Sequence, residues 1–575
     1  MKRWVIAALL ILTGLRLFLG SQMEVSPDEA YYYQWSQRLD WAYYSKGPGV
    51  AVAIRAGTSL FGPTSFGVRL LSPFLALGTS LLLFAMARRL YGESVAVWAV
   101  VLLNLTPIFN VGGLVMTIDA LSIFFWAAAL WTFWLALERS PRFSVYWPLT
   151  GAAMGLGFLC KYTNAMELLS VALVLGLTAK YRREFARPGF WLMLGVFVLA
   201  VIPPLLWNAN HDWITVEHLR SRGGLDSGPR FRPLELLTFV GLHFGVYSPL
   251  IFAGMLVALW QGCREARGEF RSRFLALFAL PLLGMYCVLS LKKAGEPNWT
   301  APAFVSLGIL TVALWHGWAE RSVAARRFAV AALAVGLASS LWVMNTDVLR
   351  QLGIRWPYSR DPGGRLRGWE TVACGVNDLR HKLEQESGKP LFLIGNKYQT
   401  ASSLAFYLPE KRVDGPGHPP VYFPESQAIE NQYSFWGRYD ELTEPPELAR
   451  AMVAKLDDPA KREALAAALK AWDALAAANP GEEKIVEGRR ALIRALLAVD
   501  AKLPLDEYAT EDWGVSLFRG RDALFVTDGK DRPPTSIEKG FEKIEMAAMW
   551  EEKRRGLPLR LIRVFVCRNY HGLPL

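Results

Sequence analysis

Residues 1–345 form a succession of apolar runs, each near the ~20 residues that cross a bilayer, parted by short polar segments. The first is Trp4–Leu19 and the last Phe328–Val343. Between them lie Val95–Val111, Ala120–Leu137, Met166–Thr178, Leu236–Trp260 and others, about eleven crossings in all. In lipid the backbone of such runs must satisfy its own hydrogen bonds, which dictates helices. The makeup agrees: 52% of the 575 residues are hydrophobic and 22 are Trp, too apolar and aromatic for a soluble multidomain protein. A net charge of +12 does not point to nucleic acid, because the basic residues fall in short clusters between the runs.

Those clusters set an orientation. With the N-terminus inside and the first helix uncleaved, the inside loops hold Arg88-Arg89, Arg139 with Arg142, Lys180 to Arg187, Arg264 to Arg273, and Arg321 to Arg327. Every predicted inside loop is basic, as topology requires. The outward segments are then the loop after Gly20, Asn110–Asp119, Lys161–Asn164, Asn208–Pro233 and Lys292–Pro302, and they hold the unusual polar residues.

The first outward loop places Asp28 and Glu29 beside a belt of Tyr and Trp, then Lys46 in a Gly/Pro turn. Aromatic rings of this kind settle at the headgroup level. Acids at a membrane boundary are functional candidates, and one of the pair would serve as a general base toward an incoming hydroxyl. Ser26-Pro27-Asp28-Glu29 is equally an ordinary helix start. Asp119, at the outer mouth of the run Ala120–Leu137, is the second candidate catalytic acid; it also fits a helix N-terminus beside Thr117.

Outward cations are disfavoured unless an anion repays them. Lys46, Arg220, Arg222 and Lys292 are therefore expected to hold a phosphate, with Lys46 as the specific ligand. Arg69 and Arg55 are expected to snorkel to headgroups. Tyr32, Tyr44, His211, Asn298 and Trp299 are expected to line the substrate pocket. His211-Asp212 supplies too few ligands to argue a metal site; no cofactor is certain and a divalent metal stays open. A nucleotide-cradling G-x-x-x-x-G-K-[ST] loop and a D-x-D pair are both missing, which favours a donor carried on a membrane lipid.

Residues 346–575 change character, with turn signals, short β-like runs (Leu391–Ile394, Ala523–Val526, Leu561–Val566) and an Ala/Leu/Glu/Lys-rich section near 441–500 that reads as a helical insertion. This is expected to be a soluble α/β domain, extracytoplasmic by parity. Cys374 and Cys567 would there be either a pair or two separate thiols.

The strings PDEAYYYQWSQRLDWAYYSKGPGVA, FGPTSFGVRLLS, MTIDALSIFFW, GLGFLCKYTNA, WNANHDW and EPNWTAPA, in this order, resemble the membrane glycosyltransferases of family 39 type. These are related to protein O-mannosyltransferases and to the bacterial enzyme that adds aminoarabinose to lipid A. The resemblance extends more loosely to DPGGRLRGW and ASSLAFYLP. It implies a GT-C fold in the bacterial inner membrane, a polyprenyl-phosphate sugar donor and an outward site. The acceptor would be lipid A, a protein or an envelope glycan. Asp28 and Asp119 match the family's two acids, and Lys46 its cation before a proline pair, which here is Gly47-Pro48. The competing class is a lipid-linked sugar flippase, although transporters hold their charges at the bilayer midplane rather than at outer helix ends. A non-catalytic sugar binder would not need so many crossings.

Overall fold

The computed structural model describes residues 3–226, 228, 231–414, 417–424, 429–440 and 518–572. The chain forms two compact units, Met1–Leu366 and Arg367–Leu575. The expected helical insertion near 441–500 lies outside the described residues.

Unit 1 is a helical bundle and the chain is a multi-span membrane protein. Among the described residues seven helices are long and apolar enough to cross a bilayer, from Arg3–Gln22 to Val323–Met344. Two further pairs, Tyr162–Leu177 with Ala179–Ala186 and Pro233–Tyr247 with Pro249–Glu265, qualify only as bent spans, each turning by 119°. Leu236–Trp260, expected as one span, is thus broken in the middle. Ser248 precedes Pro249, takes φ 73°, and hands over to a proline that has no N–H to continue the first helix.

The run Val95–Val111 is broken too, into Glu93–Leu105 and a short helix that Pro107 opens. The freed backbone is repaired from side chains: Asn110 Nδ2 donates to the Asn104 carbonyl at 2.6 Å, and the buried Arg16 reaches Asn110 and Asn104 at 2.8 and 3.0 Å.

Helix Ile118–Arg139 is the axis of the bundle, with 67% of its apolar window buried, against 17% for Val323–Met344. Phe133 stacks on Phe274 at 5.8 Å and packs against Phe278 at 5.9 Å, so the part of the helix remote from Asp119 is held in an aromatic core.

Unit 2 contains a four-stranded mixed sheet of order β1-β2-β4-β3. Its strands are β1 (Leu391–Gly395), β2 (Asp522–Asp528), β3 (Phe541–Arg554) and β4 (Leu557–Tyr570). β1 and β2 pair in parallel, as two buried apolar strands do, and β4 is antiparallel to both of its neighbours. Helices Trp369–Ser387 and Tyr398–Tyr407 flank β1 in sequence. Cys374, exposed, and Cys567, buried on β4, are separate free thiols.

Candidate active site

The two neighbouring acids of the first loop have different fates. Helix Pro27–Ser36 opens on a capping box: the Glu29 N–H donates to Ser26 Oγ at 3.2 Å, and Glu29 Oε2 accepts the Ser26 N–H at 2.8 Å. Glu29 is fully buried, and Arg69 closes on it with two bonds of 2.7 and 2.6 Å. The Met116 N–H adds a fourth donor at 2.9 Å. Both oxygens of Glu29, expected among the catalytic acids, are thus taken up by scaffold contacts. Glu29 ties the helix that carries Asp28 to the loop that leads into Asp119. Arg69, expected at the headgroups, is instead buried, donating also to the carbonyls of Gly20, Met23 and Glu24. One capping acid cannot satisfy a buried guanidinium alone, and the carbonyls at the end of the first span supply the rest.

Asp28, the helical position just before Glu29, stays exposed in a cleft hemmed in by protein. That crowding pushes its carboxyl above the usual aspartate range. Arg365 opposes the shift, Glu29 adds to it, Arg222 opposes it and Asp119 adds to it. Asp119 lies in the first turn of Ile118–Arg139, where Thr117 Oγ1 caps its N–H at 3.3 Å. Both of its oxygens are engaged: Oδ1 with Lys161 Nζ at 2.6 Å, Oδ2 with Asn298 Nδ2 at 2.7 Å. The pair is largely out of water, with side-chain exposures of 6% for Lys161 and 16% for Asp119.

Lys46 faces the same cleft. Among the described residues its ammonium pairs with no carboxylate, while Lys161 and Arg222 both bear on it. Burial, then the repulsion of Lys161 and Arg222, lowers its pKa to about 8 against the pull of Asp119. His218, whose ring lies tilted against Tyr44 at 4.6 Å, is pushed down to about 4 by burial and by the charges of Lys46 and Arg222, so it is neutral at physiological pH. Arg222 stands 5.3 Å over the Trp299 ring. Asp28, Asp119, Lys46, Arg222, Tyr44, Asn298 and Trp299 thus meet around one cleft, joined by Lys161, His218 and Arg365.

Two of the expected phosphate ligands, Arg220 and Lys292, stand apart from this charge cluster. Arg220 is exposed and pairs with Asp226 at 2.9 Å, on the opposite side of its short helix from Arg222. Lys292 is half-buried at the end of helix Phe270–Ser290 and is not among the charges acting on Asp28 or Lys46. His211 lies flat on Trp207 at 3.9 Å with Nδ1 at 2.7 Å from the Trp207 carbonyl, and Trp207 Nε1 donates to Asp40. Tyr32 packs edge-on against Trp35 at 5.1 Å. Tyr32 lies one helical turn after Asp28 on the same helix, Pro27–Ser36. Among the described residues no three His, Cys, Asp or Glu cluster as metal ligands would.

Residues 45–207 match the sequence profile of the dolichyl-phosphate-mannose-protein mannosyltransferases. Over 98% of this chain and 97% of the other, the structure superposes on apo ArnT from Cupriavidus metallidurans with a TM-score of 0.55 at 16% identity. The chain shares the GT-C fold of that structure. A lipid A galacturonosyltransferase, RgtD, of Rhizobium johnstonii is 31% identical over 292 residues, covering 50% of this chain and 60% of that protein. An undecaprenyl phosphate-alpha-4-amino-4-deoxy-L-arabinose arabinosyl transferase of Pseudomonas fluorescens is 29% identical over 354 residues, covering 56% and 60%. The chain thus spans about three-fifths of the length of these relatives.

Within this GT-C unit the turn that aims Lys46 is built by close packing. The Tyr43 N–H donates to the Lys46 carbonyl at 2.9 Å, and Tyr43 itself is fully buried, stacked on Trp35 at 4.4 Å. Gly47 then passes so near the end of helix Tyr146–Cys160 that a Cβ there would lie 2.2 Å from the Leu159 carbonyl oxygen. Glycine at this place is a steric requirement, and it seats Lys46 against the helix end that presents Lys161. Gly47→Ala is expected to force the two apart at a cost of roughly 1–3 kcal/mol. An apparent unfolding midpoint lowered in detergent, together with weakened binding of polyprenyl phosphate, is the expected measurement.

Two members of the cluster escape sequence reasoning. His218 sits in a nine-residue helix, Ile214–Arg222, with no motif around it. Thr215 moors that helix by donating to the Tyr43 carbonyl at 3.2 Å. Arg365 follows the last span, beyond the outward loops where cations draw attention. It is carried by a loop in which Arg350 binds both Asp347 and Asp361, at 3.0 and 2.7 Å. The string DPGGRLRGW was the available signal.

Proposed function

We propose that this protein is an inverting glycosyltransferase that moves a sugar from undecaprenyl phosphate to lipid A at the outer face of the bacterial inner membrane. What supports the reading is a lysine that has no carboxylate partner among the described residues, beside Arg222, in a cleft that also holds two aspartates. An unpaired cation at a membrane rim is held at a cost, and an anionic phosphate would relieve it. The names of the two relatives, both transferases, and the ArnT structure bound to undecaprenyl phosphate supply the donor and acceptor class. The basic inside loops supply the orientation.

In this mechanism the acceptor oxygen attacks the anomeric carbon as the bond from that carbon to the phosphate oxygen breaks. The electron pair leaves with the polyprenyl phosphate, and the configuration inverts. Asp28 takes the proton of an acceptor hydroxyl; an ionised phosphate acceptor would need only to be oriented by it. Lys46 and Arg222 neutralise the departing phosphate. Asp119 has both oxygens engaged, so its part is to hold Lys161 and Asn298 in the floor of the cleft and to set the charge felt by Lys46.

The test is purified protein in nanodiscs supplied with undecaprenyl-phosphate sugar and lipid A. Release of undecaprenyl phosphate with a matching mass gain on lipid A supports the proposal; translocation of the donor across the bilayer without release supports a flippase instead. Lys46→Ala is expected to weaken binding of undecaprenyl phosphate about 10- to 100-fold, the loss of one charge-assisted contact of about 1.5–3 kcal/mol. Because the free lysine titrates near pH 8, wild-type donor affinity is expected to fall above that pH, up to tenfold per unit. The Lys46→Ala variant is expected to lack this limb, which equilibrium binding between pH 7 and 10 would reveal.

A further inference from the structure

Unit 2 contains a cavity of about 360 Å³ that plays no part in the chemistry above. Its floor is the outer side of β1, with Pro390, Leu391, Phe392 and Leu393, closed at one side by Pro420. Its charged lining is Arg380, Arg412 and Arg521 against the single carboxylate of Asp414. Such a volume holds a small organic molecule rather than a bare ion.

The arginines come from distant parts of the chain. Arg380 belongs to helix Trp369–Ser387, Arg412 follows helix Tyr398–Tyr407, and Arg521 immediately precedes β2. Arg380 is 1% exposed, and although Nη2 donates to Asn377 at 2.7 Å and to Glu410 at 3.2 and 3.3 Å, its Nε has no partner. Arg521 repeats the pattern. It pairs with Asp414 at 2.9 Å and lies over the Phe518 ring at 4.6 Å, yet its buried Nε is also unpartnered. Arg412 is held by Glu384 at 2.6 Å and by Glu410 at 2.9 and 3.0 Å.

Three guanidinium groups line this one cavity, and Asp414 is the one carboxylate among its lining residues, so the recess presents net positive charge to whatever enters it. The arginines are pre-aimed by Glu384, Glu410, Asn377 and Asp414, so little side-chain freedom would be lost on binding. Planar forks that offer paired N–H groups select phosphate or carboxylate. The apolar floor of leucine, phenylalanine and proline requires that the anion be borne on a body with an apolar face.

We propose that this cavity is a binding site for an anionic saccharide, a sugar phosphate or a uronic acid, either free or as the headgroup of a glycolipid. Asp414 is the regulator of its strength: it competes with the ligand for Arg521, and it also accepts the Tyr422 hydroxyl at 2.9 Å. The proposal stands on unit 2 alone and does not depend on the reaction assigned to unit 1.

The full-length protein in nanodiscs is titrated calorimetrically with glucosamine 1-phosphate and with methyl glucuronide, in a Lys46→Ala background so that the cleft of unit 1 is not the binder. Saturable binding that weakens at least tenfold in Arg521→Gln is expected. Asp414→Asn keeps an acceptor for Tyr422 and is expected to tighten binding several-fold, an effect that loss of folding cannot imitate. A phosphoglycolipid in the nanodisc that competes with the soluble sugars identifies the headgroup as the source; failure to compete identifies the free saccharide. Absence of binding to both probes up to 10 mM overturns the proposal. So does binding that neither Arg521→Gln nor Asp414→Asn alters.

Discussion

Asp28→Asn is expected to lower sugar transfer by about 10²–10⁴-fold, the range that a positioned general base contributes, while leaving the protein folded and donor affinity nearly unchanged. Two features of the site lead to this. Asp28 makes none of the scaffold contacts that its neighbour Glu29 makes, so the amide replaces a group the fold does not lean on. Its carboxyl also lies above the ordinary range because protein crowds it, with Arg365 and Arg222 pulling the other way. A base must be ionised to accept a proton, so the rate should fall as pH drops through that raised value. This acid limb should be absent from the residual activity of Asp28→Asn. Initial rates of undecaprenyl phosphate release between pH 4 and 9, with donor binding measured separately, decide the matter. Wild-type turnover in the variant would remove Asp28 from the mechanism.

Much of this arrangement is legible in the chain because it is local or repetitive. Apolar runs and alternating basic loops announce a helical membrane protein, and a polar residue at the mouth of a span, such as Asp119, stands out against its surroundings. The breaks at Pro107 and Ser248-Pro249 are marked by their prolines, yet the apolar character runs through them, and hydropathy registers character rather than geometry. Long-range pairing is what the sequence conceals. Nothing about Arg69 tells that its partner is Glu29 forty residues earlier, or that Lys161 rather than Lys46 would close on Asp119.

Strand β3 shows the same limit in unit 2. Its residues include Met546, Ala547, Ala548, Met549 and Glu551 to Lys553, which favour helix, and most of its side chains are exposed, so no apolar alternation identifies it. It is a strand because β4 pairs with it along nearly its whole length.

Arg69→Met is expected to destabilise unit 1 by about 3–5 kcal/mol, the usual consequence of stranding one member of a buried ion pair. Glu29 would keep only the N–H groups of Ser26 and Met116, and the carbonyls of Gly20, Met23 and Glu24 would lose their donor. Glu29→Gln is expected to cost less, since its remaining oxygen still accepts two of the four donors and no carboxylate charge is stranded, although the amide NH2 then faces the other two. The order of apparent unfolding midpoints in detergent should therefore be wild type, then Glu29→Gln, then Arg69→Met, with Asp28→Asn near wild type. Transfer activity should fall in the opposite pattern for the acids: Asp28→Asn is folded and inactive, whereas Glu29→Gln retains turnover in the molecules that stay folded. If instead Glu29→Gln matched Asp28→Asn in stability and inactivity, the two acids would share one chemical task, and the division of labour drawn from the Glu29–Arg69 clamp would have to be given up.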